Sequence, residues 1–194
     1  MKITAILGSP RINGNSATVA KRFVAKGKEL GAESSIFELN RMTYRGCQGC
    51  YACKKSLEQC VLNDDLAEAL NSVRGSDILI LASPVYYGDV TAQMKGFIDR
   101  SYSFLKPDYM TSRTPSRLSD KKIVFILTQG HVDKTFFADI YPRYSGFYKW
   151  MGFEESTLIR ACGIGPATVD EVSEDILLEA DEAASRLCGI SGDR

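Results

Sequence analysis

The 194 residues include 24 basic and 24 acidic side chains, so the formal charge is zero; 44% of residues are hydrophobic and 25% charged. That balance excludes a chain-wide attraction to nucleic acid or to an anionic membrane surface. The length fits one domain, spanning 1–194, that buries a core without disulfides or metals. The basic pairs Lys54-Lys55 and Lys121-Lys122 read as solvated faces. The first apolar run is too short for a signal-peptide core, and no run approaches the roughly 20 residues of a membrane span. A cytoplasmic protein is therefore expected. In a reducing compartment its six cysteines point to metal or redox chemistry before a disulfide frame.

In chain order, an apolar run at 3–7 predicts a first strand, closed by Gly8. A turn-rich loop leads to a helix over 16–29, capped by Asn15 or Ser16 and stopped by Gly31. A second strand is read at 35–39, followed by a cysteine-rich loop at 46–62 and a helix at 64–73. The third strand, 77–82, ends in Ser83-Pro84, and a helix follows at 91–104. The stretch 106–120 holds two prolines and reads as a long excursion. A fourth strand at 123–127, a helix at 134–150, a weaker strand at 156–161 and a helix at 170–188 complete the pattern. Runs one, three and four are continuously apolar, as in strands covered on both faces. Alternating strands and helices predict an α/β, doubly wound, five-stranded parallel sheet of order 2-1-3-4-5, with helices on both faces and a ligand at the switch point between strands one and three.

Three loops follow strand ends on the edge where that ligand would sit. In the first, Ser9, Arg11, Asn15 and Ser16 offer donors and a positive charge where a helix N-terminus favours an anion. The loop lacks the Gly-Lys-Ser/Thr register of a Walker loop and is not G-x-G-x-x-G. An ordinary turn and cap is the competing reading. In the second loop, Pro84, Val85, Tyr86, Tyr87 and Gly88 place two aromatics where they border a flat ring; surface aromatics or a dimer contact is the alternative. The third loop contributes Thr128, Gln129 and Gly130. One phosphate loop, one aromatic loop and one polar loop suit flavin mononucleotide (FMN).

Cys47, Cys50, Cys53 and Cys60 lie within fourteen residues. Such compact thiols resemble ferredoxin-type binding of a [4Fe–4S] cluster, and Gly46 and Gly49 let the backbone wrap tightly. Zinc, a redox thiol pair and unmetallated cysteines stay open as alternatives. The segment follows strand two, so it emerges on the same sheet edge as the three loops. Cys162 and Cys188 read as buried free thiols.

The motifs G-S-P-R-x-x-G-N-S and S-P-V-Y-Y-G-D-V-T-A-Q-M-K-G-F-I-D-R resemble those of the NADPH-dependent FMN reductase and iron–sulfur flavoprotein group, over Met1 to about Gly130. The resemblance implies a flavodoxin-like fold, FMN, and a homodimer or homotetramer. By position it implies that Ser9, Arg11, Asn15 and Ser16 bind phosphate, that Pro84, Val85, Tyr86 and Tyr87 contact the ribityl chain and isoalloxazine, and that 128–130 border the same site. The group's C-x2-C-x2-C pattern with a fourth cysteine a few residues on implies Cys47, Cys50, Cys53 and Cys60 as ligands of a [4Fe–4S] cluster, although no proline follows Cys60. It also suggests that the cluster meets a neighbouring chain's flavin across a dimer interface.

Two enzymatic readings follow. One passes electrons between FMN and a [4Fe–4S] cluster, with ferredoxin or NAD(P)H as donor and a quinone or small oxidant as acceptor. The other is an NAD(P)H-dependent FMN or quinone reductase with structural or zinc-bound cysteines, the nicotinamide stacking directly on the flavin. A third reading, a non-enzymatic partner-binding module, is disfavoured by the complete phosphate and aromatic loops. His131 reads as structural. Asp64-Asp65 and Asp99-Arg100 read as helix capping and helix-surface ion pairing. Tyr141, Tyr144, Phe147, Tyr148 and Trp150 recur at helical spacing and read as core or subunit interface.

Overall fold

The continuously apolar runs form the centre of one parallel sheet. A computed structural model describes residues 1–165 and 171–189. Its strands are β1 (Lys2–Leu7), β2 (Glu33–Glu38), β3 (Ile78–Tyr86), β4 (Asp89–Val90), β5 (Lys121–Gln129) and β6 (Phe153–Cys162). The helices are α1 (Asn15–Glu29), α2 (Asp65–Gly75), α3 (Ala92–Arg100), α4 (Ile140–Trp150) and α5 (Glu174–Cys188). The sheet order is β2-β1-β3-β5-β6, all neighbours parallel, which is the expected five-strand order. The two-residue β4 folds back antiparallel on β3 and adds a sixth strand that no periodicity announces.

Both faces of the sheet are covered, which explains why the central strands do not alternate with polar residues. Ile78, Ile80 and Ala82 of β3 pack with Val124 and Ile126 of β5 under α1 and α5. Leu79 and Leu81 point the other way, with Phe125 and Leu127, into a core closed by Leu66, Leu70, Met94, Phe97, Tyr144 and Tyr148 of α2, α3 and α4. The α4 aromatics therefore divide: Tyr144 and Tyr148 are core, whereas Phe147 and Trp150 are exposed.

Several expected boundaries move. β3 continues through Pro84 to Tyr86, because Pro84 still pairs in register with Thr128. The helix expected over 91–104 ends at Arg100 and tightens into a 3-10 turn over Ser101–Phe104. α4 begins at Ile140 and not at 134, after a turn in which Phe137 adopts φ 62°. α5 begins at Glu174; residue 170, where its start was expected, lies outside the described residues. Lys121 is buried and not solvated: its Nζ donates to the carbonyls of Arg74 and Ser76.

The turn before β6 depends on glycine. Gly152 has φ +90°, and a Cβ there would lie 2.3 Å from the Leu118 carbonyl oxygen, a backbone atom that cannot swing away. Gly152→Ala is expected to destabilise the fold by at least ~1–3 kcal/mol, the strain of a left-handed non-glycine residue, before the clash is added. Thermal unfolding of the purified variant checks this, and an unchanged midpoint would refute it.

Candidate functional site

The first loop delivers an open helix end. α1 starts at Asn15 with Gly14, not Asn15 or Ser16, in the N-cap position, and no side chain caps its first turn. That turn holds no acidic residue, so its N–H groups face a ligand position without a competing carboxylate. Ser16 is 1% exposed, and its Oγ is buried with no hydrogen-bond partner. An orphaned buried hydroxyl beside an uncapped helix N-terminus fits the terminal phosphate of a mononucleotide. Ser9 is buried and its Oγ accepts the Arg11 N–H at 3.1 Å, which shapes the loop. Gly14 packs closely there: a Cβ would stand 2.6 Å from that Ser9 Oγ and 3.2 Å from the Arg11 carbonyl oxygen. Arg11 is exposed on the loop, and Asn15 is half-buried. A small cavity beside the loop is lined by Ser9, Pro10, Arg11, Ala17, Asn40 and Glu38. Among the described residues Glu38 is the one carboxylate lining it, and Arg41 and Lys21 stand against it at 3.1 and 3.6 Å.

Hydrogen bonds join this loop to the second. Gly8 N–H donates to the Ala82 carbonyl at 2.8 Å, and Thr91 Oγ1 donates to the Gly8 carbonyl at 2.7 Å. Thr91 also caps α3 by accepting from Met94 N–H. The second loop is a tight hairpin: Tyr87 (φ 50°) and Gly88 (φ 86°) are two consecutive left-handed residues, the signature of a type I′ turn between β3 and β4. Tyr86 is half-exposed and Tyr87 projects fully into solvent. The base of the hairpin is held from α4, where Tyr144 Oη donates to Asp89 at 3.0 Å and Arg143 pairs with Asp89 at 3.2 Å. Burial, followed by the Asp89 carboxylate, pushes the Tyr144 phenol far above its ordinary pKa, so it stays a donor.

The third loop closes the edge. Thr128 pairs with Pro84, and Gly130 is exposed. The Gln129 side chain is buried and engaged in scaffolding: its amide donates to the carbonyls of His131 and Asp133, and its carbonyl accepts from Arg160. It shapes the loop at the end of β5. His131 accepts from Asp133 N–H at 3.1 Å and stacks on Phe136 at 3.9 Å. All three predicted loops thus meet along one edge of the sheet.

The cysteines do not lie on that edge. Their segment leaves it after β2, near Pro10, whose carbonyl accepts from Asn40. It then runs to the opposite end of α3. Cys47, Cys50, Cys53 and Cys60 all line one cavity of about 180 Å³, whose far wall is Asp99, Arg100, Tyr102 and Ser103. The N-terminus of α3 meets Gly8, so the nine-residue helix separates the cavity from the phosphate loop by roughly 13 Å. Left-handed Gly49 and Tyr51 turn the chain between the thiols. Cys47 and Cys50 are exposed, and Cys53 and Cys60 half-buried. Among the described residues, no three or more His, Cys, Asp or Glu side chains converge tightly enough to hold a single metal ion.

Residues 1–141 match the family described as NADPH-dependent FMN reductase. The chain belongs to that family. It is 43% identical over 100 residues to an iron-sulfur flavoprotein of Archaeoglobus fulgidus, a match covering 52% of this chain and 45% of that protein. It is 37% identical over 101 residues to an iron-sulfur flavoprotein of Methanosarcina thermophila, covering 52% of each. The chain thus spans about half the length of these relatives. Among solved structures, the NAD(P)H:quinone oxidoreductase of Methanothermobacter marburgensis superposes with TM-score 0.77 at 22% identity, over 100% of this chain and 99% of that one. An FMN-dependent NADH-azoreductase of Bacillus anthracis in complex with FMN gives TM-score 0.71 at 17% identity, over 97% and 99%. These two likenesses establish the flavodoxin-like fold.

In this family member, cations that look like surface charge in the sequence fasten the cysteine loop. Arg100 is buried and not on the helix surface; its fork grips Asp64 at 2.9 and 3.1 Å. Burial opposes the Arg100 charge, but Asp64 and the neighbouring Cys60 thiol raise its pKa overall. Burial likewise disfavours the Asp64 carboxylate, yet Arg100 holds it below the ordinary carboxylate range. Lys54 donates to the carbonyls of Tyr102 and Leu105 at 2.6 and 2.8 Å and lies over the Tyr102 ring, where burial lowers its pKa. Arg117 donates to the Cys53 carbonyl and Arg74 to that of Glu58. Only the pairing of Asp99 with Lys95 matches the expected surface ion pair. The signal available in the sequence was the density of Lys and Arg flanking a polar loop, which by itself reads as solubility.

Proposed function

We propose that the chain is a flavin oxidoreductase that holds FMN along the edge formed by the three loops and a [4Fe–4S] cluster on Cys47, Cys50, Cys53 and Cys60. When bound, FMN supplies the exchange between two-electron and one-electron chemistry, and the cluster supplies one-electron storage. The single observation that carries the reading is the orphaned Ser16 hydroxyl at the uncapped start of α1. The chain's own groups divide the work. Ser9, Arg11, Asn15 and Ser16 with the α1 N-terminus bind the phosphate. Pro84 to Gly88 flank the ring on a hairpin braced by Asp89 and Tyr144, and the 128–130 backbone borders its polar edge.

NAD(P)H or ferredoxin is the proposed donor and a quinone or another small oxidant the acceptor; the family described as NADPH-dependent FMN reductase supports the NAD(P)H donor. No helix among the described residues is long and apolar enough to cross a membrane. A thiolate site suits the reducing cytoplasm. The fully exposed Tyr87, with Val132 and Phe136 exposed nearby on the same edge, supports a homodimer or homotetramer that covers them. The match to the NADPH-dependent FMN reductase family favours a second reading, an NAD(P)H-dependent FMN or quinone reductase whose cysteines are structural or zinc-bound.

Anaerobic purification with quantified FMN, iron and sulfide separates the two. One FMN with about four iron and four sulfide per chain is expected. FMN without iron and sulfide would establish the reductase reading instead, and absence of both would overturn flavin chemistry altogether.

A further inference from the structure

Arg100 is 1% exposed, and its guanidinium does two things at once. Nη1 donates to the Arg45 carbonyl at 2.8 Å and to Asp64 at 2.9 Å; Nη2 donates to the Leu62 carbonyl at 3.2 Å and to Asp64 at 3.1 Å. Arg45 lies two residues before Cys47, and Leu62 two residues after Cys60, so one side chain clasps both ends of the cysteine loop. The remaining donor, Nε–H, is buried and makes no complete hydrogen bond, and besides Asp64 the side chain that interacts with this guanidinium is Cys60. A charged donor left unpaired in a protein interior is costly and rare. Among the described residues, Arg100 is also the only arginine lining the cavity that the four cysteines line. Asp99 also lines this space and is neutralised by Lys95 at 2.5 Å, while Lys54, outside the lining, has its Nζ 3.6 Å from Cys53 Sγ. The unmatched group is therefore a hydrogen-bond donor beside a set of sulfur ligands.

We propose that Arg100 is a positioning residue for the metal group of the cysteine loop, its fork closing the loop on Asp64 and its Nε–H donating to a thiolate or sulfide sulfur of that group. This rests on the reading of Cys47, Cys50, Cys53 and Cys60 as cluster ligands. Hydrogen bonds to cluster sulfurs favour the reduced, more negative form and raise its reduction potential. Arg100→Lys keeps the positive charge but removes the Nε–H and the planar fork.

The test uses anaerobically loaded full-length protein labelled with 15Nε-arginine. In the dithionite-reduced wild type, pulsed EPR is expected to show a weak 15N coupling to the cluster. The coupling should persist in Arg117→Lys, which alters a different loop contact, and vanish in Arg100→Lys. At the wild-type midpoint potential, Arg100→Lys is expected to be at least tenfold more oxidised than reduced, a shift of about 59 mV for one electron. A loaded wild type without arginine coupling, or a loaded Arg100→Lys with an unchanged midpoint, overturns the proposal and leaves the cluster reading intact. A wild type that holds no iron and sulfide overturns both. If Arg100→Lys does not fold or load, the coupling in wild type and Arg117→Lys decides alone.

Discussion

Ser16→Ala is expected to weaken FMN binding by about 10- to 100-fold while making the FMN-free protein more stable. Two opposite effects come from one atom. In the free protein the Ser16 Oγ is buried without a partner, and an unsatisfied buried hydroxyl costs about 1–3 kcal/mol. Removing it relieves that cost, and alanine is also the better helix former at the start of α1. The unfolding midpoint of the FMN-free protein should therefore rise, by about 2–4 °C for each kcal/mol recovered. With FMN present, the same hydroxyl would donate to a phosphate oxygen, and a hydrogen bond to a charged group contributes about 1.5–3 kcal/mol. Titration calorimetry with FMN and scanning calorimetry of the FMN-free protein read the two effects separately. Equal FMN affinity in the variant would remove Ser16 from the site, and a lowered midpoint would mean that the hydroxyl has an internal partner. Ser16→Asp should reduce FMN binding further, because it sets a carboxylate against the phosphate.

Cys50→Ser is expected to lose the iron and sulfide and keep its FMN. Cys50 is exposed, so an oxygen in place of its sulfur disturbs no core packing, and the phosphate loop lies roughly the length of α3 away. Cys188→Ser is the matched control. Its thiol is buried among Gly27 and the α1–α5 core, where burial pushes its pKa up. A hydroxyl there should lower stability while leaving iron and FMN content alone. Iron retained in Cys50→Ser would remove Cys50 from the ligand set. Iron lost in both variants would point to general unfolding as the cause.

The sheet was legible because its cause is local. β1, β3 and β5 are continuously apolar, and only strands covered on both faces have that composition, so parallel order and helical layers follow from spacing alone. The meeting of the three loops on one edge follows from the same rule, since all parallel strands end there. β4 was not legible, because two residues carry no period and the type I′ turn at Tyr87-Gly88 lacks the usual asparagine or aspartate.

What stayed hidden depends on partners far along the chain. Asp64 takes the N-cap position of α2 as read, but its carboxylate is gripped by Arg100, 36 residues on, which reads as a surface charge until tertiary packing buries it. Lys121 reads as surface until its ammonium meets carbonyls 45 and 47 residues away. The cysteine spacing determined that four thiols would share one space, as they do around a single cavity. Where that space lies was decided by the tertiary structure, because Arg100, Lys54 and Arg117 draw the loop away from the phosphate edge to the far end of α3. Hydrophobic periodicity records which side of an element is covered; it carries no record of which distant carbonyl will satisfy a buried cation.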